Sequence, residues 1–174
     1  INAGLVGSEM CIRDRVGTLQ AIETTEIAGN EITLYVLDFQ KDKMTLRVPV
    51  SRAKSIGLRT LCVEKDVEKA LQILKGRAKS SRGMWSRRAT EYTNKINSGD
   101  ITLVAEVVRD LHKNVEDPDR SYSERVIYES AVSRLSGEIA AVLKVSDESA
   151  EEMVISRIKK VSKKTEEDNT AAAA

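Results

Sequence analysis

The spacing of apolar residues changes once along this chain, and the change falls near Leu61. Before it, β-branched and aromatic residues recur with a period of two, which indicates strands, and after it they recur with helical spacing. A run of strands followed by a run of helices predicts an α+β protein. We therefore expect a small N-terminal β half-barrel followed by a C-terminal bundle of four to five α-helices.

The strand region begins at Val16. Segments 16–27 and 31–39 flank Ala28-Gly29-Asn30, which predicts a hairpin turn. From Met44 to Val50 apolar and polar residues alternate, so Arg47 should lie on the solvent face of a strand. Basic residues outnumber acids between 41 and 59, which gives this region either a basic binding face or a solvated surface that protects an edge strand.

The helical region is marked by amphipathic stripes and by helix-start signals. Leu74 ends the first stripe, and later helices are predicted to start at Ser86, at Asp100, at the capping box Ser121 to Glu124, and at Ser146. We place this domain at residues 62–162. Residues 163–174, a charged run that ends in four alanines, are expected to form a disordered tail.

Residues 1–15 do not fit the pattern that follows. The stretch from Val6 to Arg15 resembles the translation of a sequencing adaptor, so we treat residues 1–15 as a suspected non-native segment. The segment is left out of the fold prediction, which assigns the β domain to residues 16–61.

Composition excludes several classes of protein. No apolar run approaches the roughly 18 residues of a membrane span, and two cysteines without a signal peptide favour a reducing cytoplasm. The single histidine, His112, is interpreted as a helix-surface residue, and no Cys or His spacing suits a metal. We therefore expect no enzyme activity, no cofactor, no metal, no small-molecule substrate and no membrane partner.

The only tryptophan, Trp85, lies in the most one-signed charge run of the chain. Seven basic residues stand against one acid, Glu91, between positions 75 and 95: Lys75, Arg77, Lys79, Arg82, Arg87, Arg88 and Lys95. A cationic surface with a large flat ring suits a nucleic-acid backbone and a base step. A lone Trp is also often a core anchor. If Ser86 is the N-cap, Trp85 lies just before the cap, where an apolar residue normally packs against the fourth residue of the helix. That residue is the polar Thr90, so an exposed and a buried ring are equally favoured.

Several blocks resemble the CarD/CdnL family of bacterial transcription regulators. Leu46-Arg47-Val48-Pro49-Val50 with Ile56-Gly57-Leu58-Arg59 is similar to the end of the family's polymerase-interacting domain. Trp85-Ser86-Arg87-Arg88, Ser98-Gly99-Asp100 and the block from Val104 to Leu111 are similar to its helical domain. Two departures are the absence of the Tyr-Pro and His-Gly signature before Val16 and the presence of Thr25-Glu26 where a basic residue is expected.

The resemblance implies a division of labour. Residues 16–61 would form a Tudor-like domain that binds the RNA polymerase β subunit, and residues 62–162 a helical domain at the upstream edge of the promoter bubble. Trp85 would wedge into the minor groove of promoter DNA and stabilise the open complex, in a cytoplasmic protein that reaches the nucleoid through polymerase. The expected polymerase-binding residues are Arg47, Pro49, Lys43 and Arg52. The expected DNA-binding residues are Trp85, Arg87, Arg88, Arg82, Lys79 and Lys95.

Two other functions stay open at the level of the sequence. A free-standing DNA-binding regulator would leave a footprint on DNA without polymerase. A protein-binding adaptor without DNA contact would use the basic run for an acidic partner, and the fluorescence of Trp85 would then ignore forked DNA.

Overall fold

The computed structural model describes residues 3–12, 15–40, 42–79, 83–112 and 121–158. The chain divides into two compact units, Ile1–Leu61 and Cys62–Ala174. The described residues of the first unit form a β-sheet and those of the second form helices, so the predicted α+β class is confirmed. The predicted tail at 163–174 lies outside the described residues, as does the acidic stretch 116–119.

The first unit contains one antiparallel sheet in the strand order β4-β3-β2-β1-β5. Short 3-10 turns precede β1 and follow β4, at Ala3–Leu5 and Val50–Arg52. Among the described residues β4 and β5 are the edge strands. The strands are β1 (Glu9–Ile12), β2 (Arg15–Ile27), β3 (Asn30–Phe39), β4 (Met44–Pro49) and β5 (Leu58–Thr60).

The predicted hairpin joins β2 to β3. Ile27 pairs with Asn30, and the two residues between them, Ala28 and Gly29, have φ angles of 53° and 77°. Two consecutive positive φ angles match the right-handed twist of the flanking strands, and glycine adopts the second without strain. The turn prediction is confirmed.

The segment that we left out of the fold prediction is part of the sheet. β1 lies between β2 and β5, with Cys11 opposite Val16 on one side and opposite Arg59 on the other. Leaving residues 1–15 out of the fold was therefore wrong, because Met10 and Cys11 supply buried side chains to a strand with two neighbours. The suspected foreign origin of the segment is a separate matter and stays a prediction.

The core of the first unit lies on the face of the sheet that the alternation of β4 predicts. Val48 is buried, Met44 and Leu46 are half-buried, and Thr45 and Arg47 are exposed. The prediction that Arg47 faces solvent is confirmed. The buried members of this core are Met10, Leu19, Leu37, Phe39, Val48 and Ala53.

The described residues of the second unit form five helices around one aliphatic core. The most buried is α3, whose stripe Ile101, Val104, Val108 and Leu111 is inaccessible to solvent as predicted. It packs against α1, α2 and α4. The helices are α1 (Glu64–Leu74), α2 (Trp85–Asn97), α3 (Ile101–His112), α4 (Tyr122–Leu143) and α5 (147–158).

Local capping agrees with most of the predicted helix starts. Asp100 Oδ1 accepts the backbone N–H of Thr102 at 2.8 Å, and Ser146 Oγ accepts that of Ser149 at 3.2 Å. Ser121 precedes α4 as predicted, but its side chain makes no capping hydrogen bond. His112 is half-buried rather than on the surface, because Tyr128 of α4 packs beside it with 2.7 Å between the Nδ1 and hydroxyl atoms.

Candidate nucleic-acid interface

Trp85 is the first residue of α2 and lies inside the helix, not before its N-cap as predicted. With Met84 as N-cap, the helix begins two residues earlier than a Ser86 N-cap predicts, so Ser86 is not the cap. The Ser86 carbonyl instead accepts a hydrogen bond of 3.1 Å from Thr90 Oγ1. Trp85 therefore does not occupy the position before the cap, and the missing staple partner no longer bears on its exposure.

The ring of Trp85 is half-buried, between the two states that the sequence left open. One part packs on the helical core, with the ring of Tyr92 at a centroid distance of 6.4 Å. The Arg88 guanidinium lies over the indole, 5.2 Å from its centroid, in a cation–π contact. The indole nitrogen donates a 2.8 Å hydrogen bond to Ser123 Oγ in the first turn of α4. These contacts fix the ring orientation and leave part of its surface accessible.

Arg87, two residues after Trp85 on α2, and Lys79, on the segment that precedes α2, present their charges to solvent. Both side chains are exposed, while Arg88 is half-buried against Trp85. Arg82 lies outside the described residues. The structure therefore brings Arg87, Arg88 and Trp85 together in one turn of α2, and Lys79 precedes them on the connecting segment.

The connecting segment is anchored to α3 by a buried carboxylate. Asp110 Oδ1 accepts the backbone N–H of Lys79 at 2.9 Å and also lies 2.8 Å from Arg109 Nε. The Asp110 side chain is 7% exposed and that of Arg109 is 8% exposed. The hydrogen bond to this buried carboxylate holds the backbone at Lys79, while the lysine side chain is exposed to solvent.

Lys95 differs from the other predicted DNA-binding residues, because two carboxylates surround it. Its Nζ atom lies 2.9 Å from Glu106 Oε2 and 3.7 Å from Glu91 Oε1. Burial disfavours the charged form of Lys95, but the hydrogen bond and charge of Glu106 outweigh it and raise the lysine pKa. The same hydrogen bond lowers the pKa of Glu106. Lys95 therefore adds little net positive potential to the surface.

Sequence reasoning missed two exposed apolar side chains next to Trp85. Met84, the N-cap of α2, is 77% exposed, and Tyr122, the first residue of α4, is 80% exposed. Tyr122 adjoins Ser123, which holds the indole of Trp85. The only sequence signal was an aromatic residue inside the Ser121 to Glu124 start signal, where the first helical residue often points away from the core.

The predicted polymerase-binding residues lie at and near edge strand β4 of the first unit. Arg47 and Pro49 are two residues apart in β4, and so share one face. Lys43 stands in the turn before β4 with a φ of 51°, and Arg52 ends the turn after it. Lys43, Arg47 and Arg52 are exposed.

Arg47 already has a partner within the sheet. Its Nε atom lies 3.3 Å from Glu23 Oε2 across the neighbouring strand β3, with the two side chains 58% and 45% exposed. An ion pair this exposed contributes little to stability. The pair orients Arg47 and is weak enough to be exchanged for another carboxylate.

Within the described parts of the chain, no group of three or more His, Cys, Asp or Glu side chains could hold a metal ion. No helix in those parts is both long enough and apolar enough to cross a bilayer. The expectations of no metal and no membrane partner stay predictions.

The fold defines an α+β protein with one β unit and one helical unit, and the helical unit carries exposed basic side chains and a half-buried tryptophan at the start of α2. A family model described as "CarD, C-terminal domain" matches residues 69–155, which is half of the chain. The chain belongs to the CarD family, and the resemblance found in the sequence is confirmed.

A relative in Bacillus subtilis (strain 168) bears the name "Putative transcription factor YdeB". It is 25% identical to this chain over 131 residues, which cover 75% of this chain and 86% of the relative. The family match and this relative together support a transcription-related role.

Proposed function

We propose that this protein is a transcription regulator that binds the RNA polymerase β subunit through residues 16–61 and stabilises the promoter open complex through residues 62–162. The observation that carries the proposal is the placement of Trp85, half-exposed at the start of α2 between basic side chains. The CarD family match over residues 69–155 includes this position. The protein would therefore act on DNA that polymerase has already opened.

The proposed DNA contact has two parts: basic side chains that bind phosphates, and the Trp85 ring that contacts a base step. Arg87 and Lys79 would bind phosphates, contacts that position the domain without reading sequence. The accessible part of Trp85 would wedge into the minor groove at the upstream edge of the bubble and replace stacking lost at a base step. Because Arg88 and Ser123 hold the ring, little conformational entropy is lost on binding.

A surface with so few cations does not hold DNA by itself. Sequence-independent binding of this kind has dissociation constants on the order of 10⁻⁴ to 10⁻⁶ M at physiological salt. A second contact to polymerase raises the effective concentration toward roughly mM, which is enough to fill such a site. The β unit would supply this tether.

The tether would use β4 and the turns around it. An edge strand presents unpaired backbone groups to a partner, and Arg47, Lys43 and Arg52 add positive charge along it. On binding, Arg47 would leave Glu23 and pair with a carboxylate of the β subunit. The number of ion pairs would stay the same, and the new pair would be buried at the interface.

Trp85→Ala tests the proposal through the lifetime of the open complex. Loss of a stacking contact of roughly 1 to 3 kcal/mol should shorten the lifetime by about five- to a hundredfold, since 1.4 kcal/mol is a factor of ten. Polymerase binding should not change. Because the ring is half-buried, the variant should also lose about 1 to 3 kcal/mol of folding stability, so lifetimes are measured well below the melting temperature, where both proteins are fully folded.

Two controls separate the proposal from the alternatives. Val145→Ala removes an exposed side chain of the same unit and should leave the lifetime unchanged. A lifetime unaffected by Trp85→Ala would refute the proposal. A DNA footprint of full strength without polymerase would favour a free-standing DNA-binding regulator, and loss of polymerase binding in Trp85→Ala would favour a protein-binding adaptor.

A further inference from the structure

The N-terminal ends of α2 and α4 meet at one surface, and the hydrogen bond between Trp85 and Ser123 joins them. Three exposed apolar side chains belong to these helix ends: Met84, Tyr122 and Val126. Tyr122 and Val126 are four residues apart on α4 and so lie on one face of that helix. These three exposed side chains therefore form an apolar patch on the two helix ends that the hydrogen bond between Trp85 and Ser123 joins.

Tyr122 stands out within this patch. An exposed tyrosine of this degree does not contribute to the core, and its ring is free to present a flat face to a ligand. The Cα atom of Tyr122 is about 3.8 Å from that of Ser123, whose hydroxyl holds the Trp85 indole. Tyr122 is therefore attached to α4 one residue from the side chain that holds the Trp85 indole.

The charges around the patch indicate the chemistry of that ligand. Arg125 is exposed one turn after Tyr122, Arg87 is exposed near the start of α2, and Arg88 lies over the Trp85 ring. The acid nearest in sequence, Glu124, is buried. An aromatic platform with cations along its border is the arrangement with which proteins bind single-stranded nucleic acid.

We infer that Tyr122 is a second stacking platform, which takes an unpaired nucleobase of forked DNA next to the base step that Trp85 contacts. Arg125 would bind a phosphate of the same strand. This inference rests on the proposed function, since it assigns to the same surface a preference for a junction of duplex and single strand. Trp85 would act at the last stacked step and Tyr122 on the first base beyond it.

The test uses complexes of the full chain with RNA polymerase and a promoter fork that carries 2-aminopurine at the first unpaired upstream position. The fluorescence of this base is quenched when it stacks. Tyr122→Ala should raise the fluorescence and shorten the open-complex lifetime by about fivefold, equivalent to roughly 1 kcal/mol. Tyr122→Phe keeps the ring and should stay within about twofold of the unmodified protein.

A matched control removes apolar surface without removing a ring. Val126→Ala lies one turn further along α4 and should leave both readouts unchanged. Tyr122 is exposed, so its truncation should not disturb folding, and unchanged melting temperatures check this.

The remaining outcomes refute the inference alone or the inference together with the proposed function. If Trp85→Ala shortens the lifetime but Tyr122→Ala changes neither readout, the stacking platform is refuted and the proposed function stands. If neither variant has an effect, both are refuted. If Tyr122→Ala and Val126→Ala both weaken polymerase binding and leave 2-aminopurine quenched, the patch is a protein-docking surface and the inference is wrong.

Discussion

Trp85 and Ser123, which are 38 residues apart in sequence, are joined by a hydrogen bond of 2.8 Å from the indole nitrogen to the serine Oγ. The bond links the first turn of α2 to the first turn of α4, and Ser121 Oγ lies 2.8 Å from the same hydroxyl. Because the polar edge of the indole is held in this way, the ring has one orientation at the surface. Ser123 is therefore a positioning residue for the proposed DNA contact.

Ser123→Ala should loosen the ring without removing it. A neutral hydrogen bond at an exposed site contributes about 1 kcal/mol or less, so we expect a small drop in melting temperature. The open-complex lifetime should fall by about two- to fivefold, and the fluorescence anisotropy of Trp85 should decrease. Ser123→Thr keeps the hydroxyl and should restore both. A shorter lifetime with unchanged anisotropy in Ser123→Ala would contradict a positioning role.

Local patterns in the sequence were enough to predict most of the fold. The hairpin at Ala28-Gly29, the alternation of β4 and the stripe of α3 each depend on residues close in sequence, and the structure contains all three. β1 (Glu9–Ile12) was missed because residues 1–15 were left out of the fold prediction for their resemblance to a translated sequencing adaptor. Its place between β2 and β5 also depends on pairing with residues nearly fifty positions away in the chain, which no local pattern shows.

The candidate site was less predictable for the same reason. The run of basic residues and the single Trp are local features, and they drew attention to α2. The partner of Trp85 on α4, the carboxylate of Glu106 that pairs with Lys95, and the exposure of Tyr122 all depend on how helices pack. Helix spacing in the sequence predicts that these helices exist, but not which of their ends meet.

Arg47→Glu tests the polymerase contact of the β unit. The change should weaken binding to the β subunit by a few kcal/mol, because it replaces an attractive contact with a repulsive one. Folding should be nearly unaffected, since the pair with Glu23 is exposed. Binding is measured by titration of polymerase, and folding by thermal melting.

A charge swap controls for the Arg47 and Glu23 pair. The double variant Glu23→Arg with Arg47→Glu restores an ion pair within the sheet but leaves a negative charge at position 47. It should melt like the unmodified protein and still bind polymerase weakly. Recovery of binding in the double variant would mean that the ion pair, and not the charge of Arg47, matters for docking.

Met10→Asp tests whether β1 belongs to the sheet. Met10 is 6% exposed within the core of the first unit, so a buried unpaired carboxylate there should cost about 3 kcal/mol or more of folding stability. Amide hydrogen exchange in β2 and β3 should accelerate, while Trp85 fluorescence, which reports the helical unit, stays the same. Glu9→Gln on the exposed face of β1 is the control. Unchanged exchange in Met10→Asp would show that β1 does not pair.

Glu106 and Lys95 should give the stability of the helical unit a dependence on pH. The pKa of Glu106 is lowered in the folded protein, so its contribution is present above the ordinary glutamate pKa and is lost as pH falls through the lower folded value. The pKa of Lys95 is raised, so its contribution is present below the ordinary lysine pKa and is lost as pH rises through the higher folded value. Glu106→Gln should lower the free energy of unfolding by about 1 kcal/mol between pH 5 and pH 10. It should also reduce the loss of stability at acid pH, and both effects are measured by denaturant unfolding across pH. If the variant and the unmodified protein lose stability equally as pH falls, the pair of Glu106 and Lys95 does not cause that loss.

Lys95 and Arg87 should differ in how they affect binding to DNA. Each phosphate contact releases counterions, so loss of one contact lowers the slope of log affinity against log salt by about 0.9. Arg87 is exposed on α2, and Arg87→Ala should lower the slope by about this amount for polymerase-bound complexes. The positive charge of Lys95 is balanced by the carboxylates of Glu106 and Glu91. Lys95→Met should therefore leave the salt slope nearly unchanged and lower the melting temperature instead. A slope reduced equally by both variants would show that Lys95 leaves its carboxylates to bind a phosphate, and would return it to the set of DNA-binding residues that the sequence predicted.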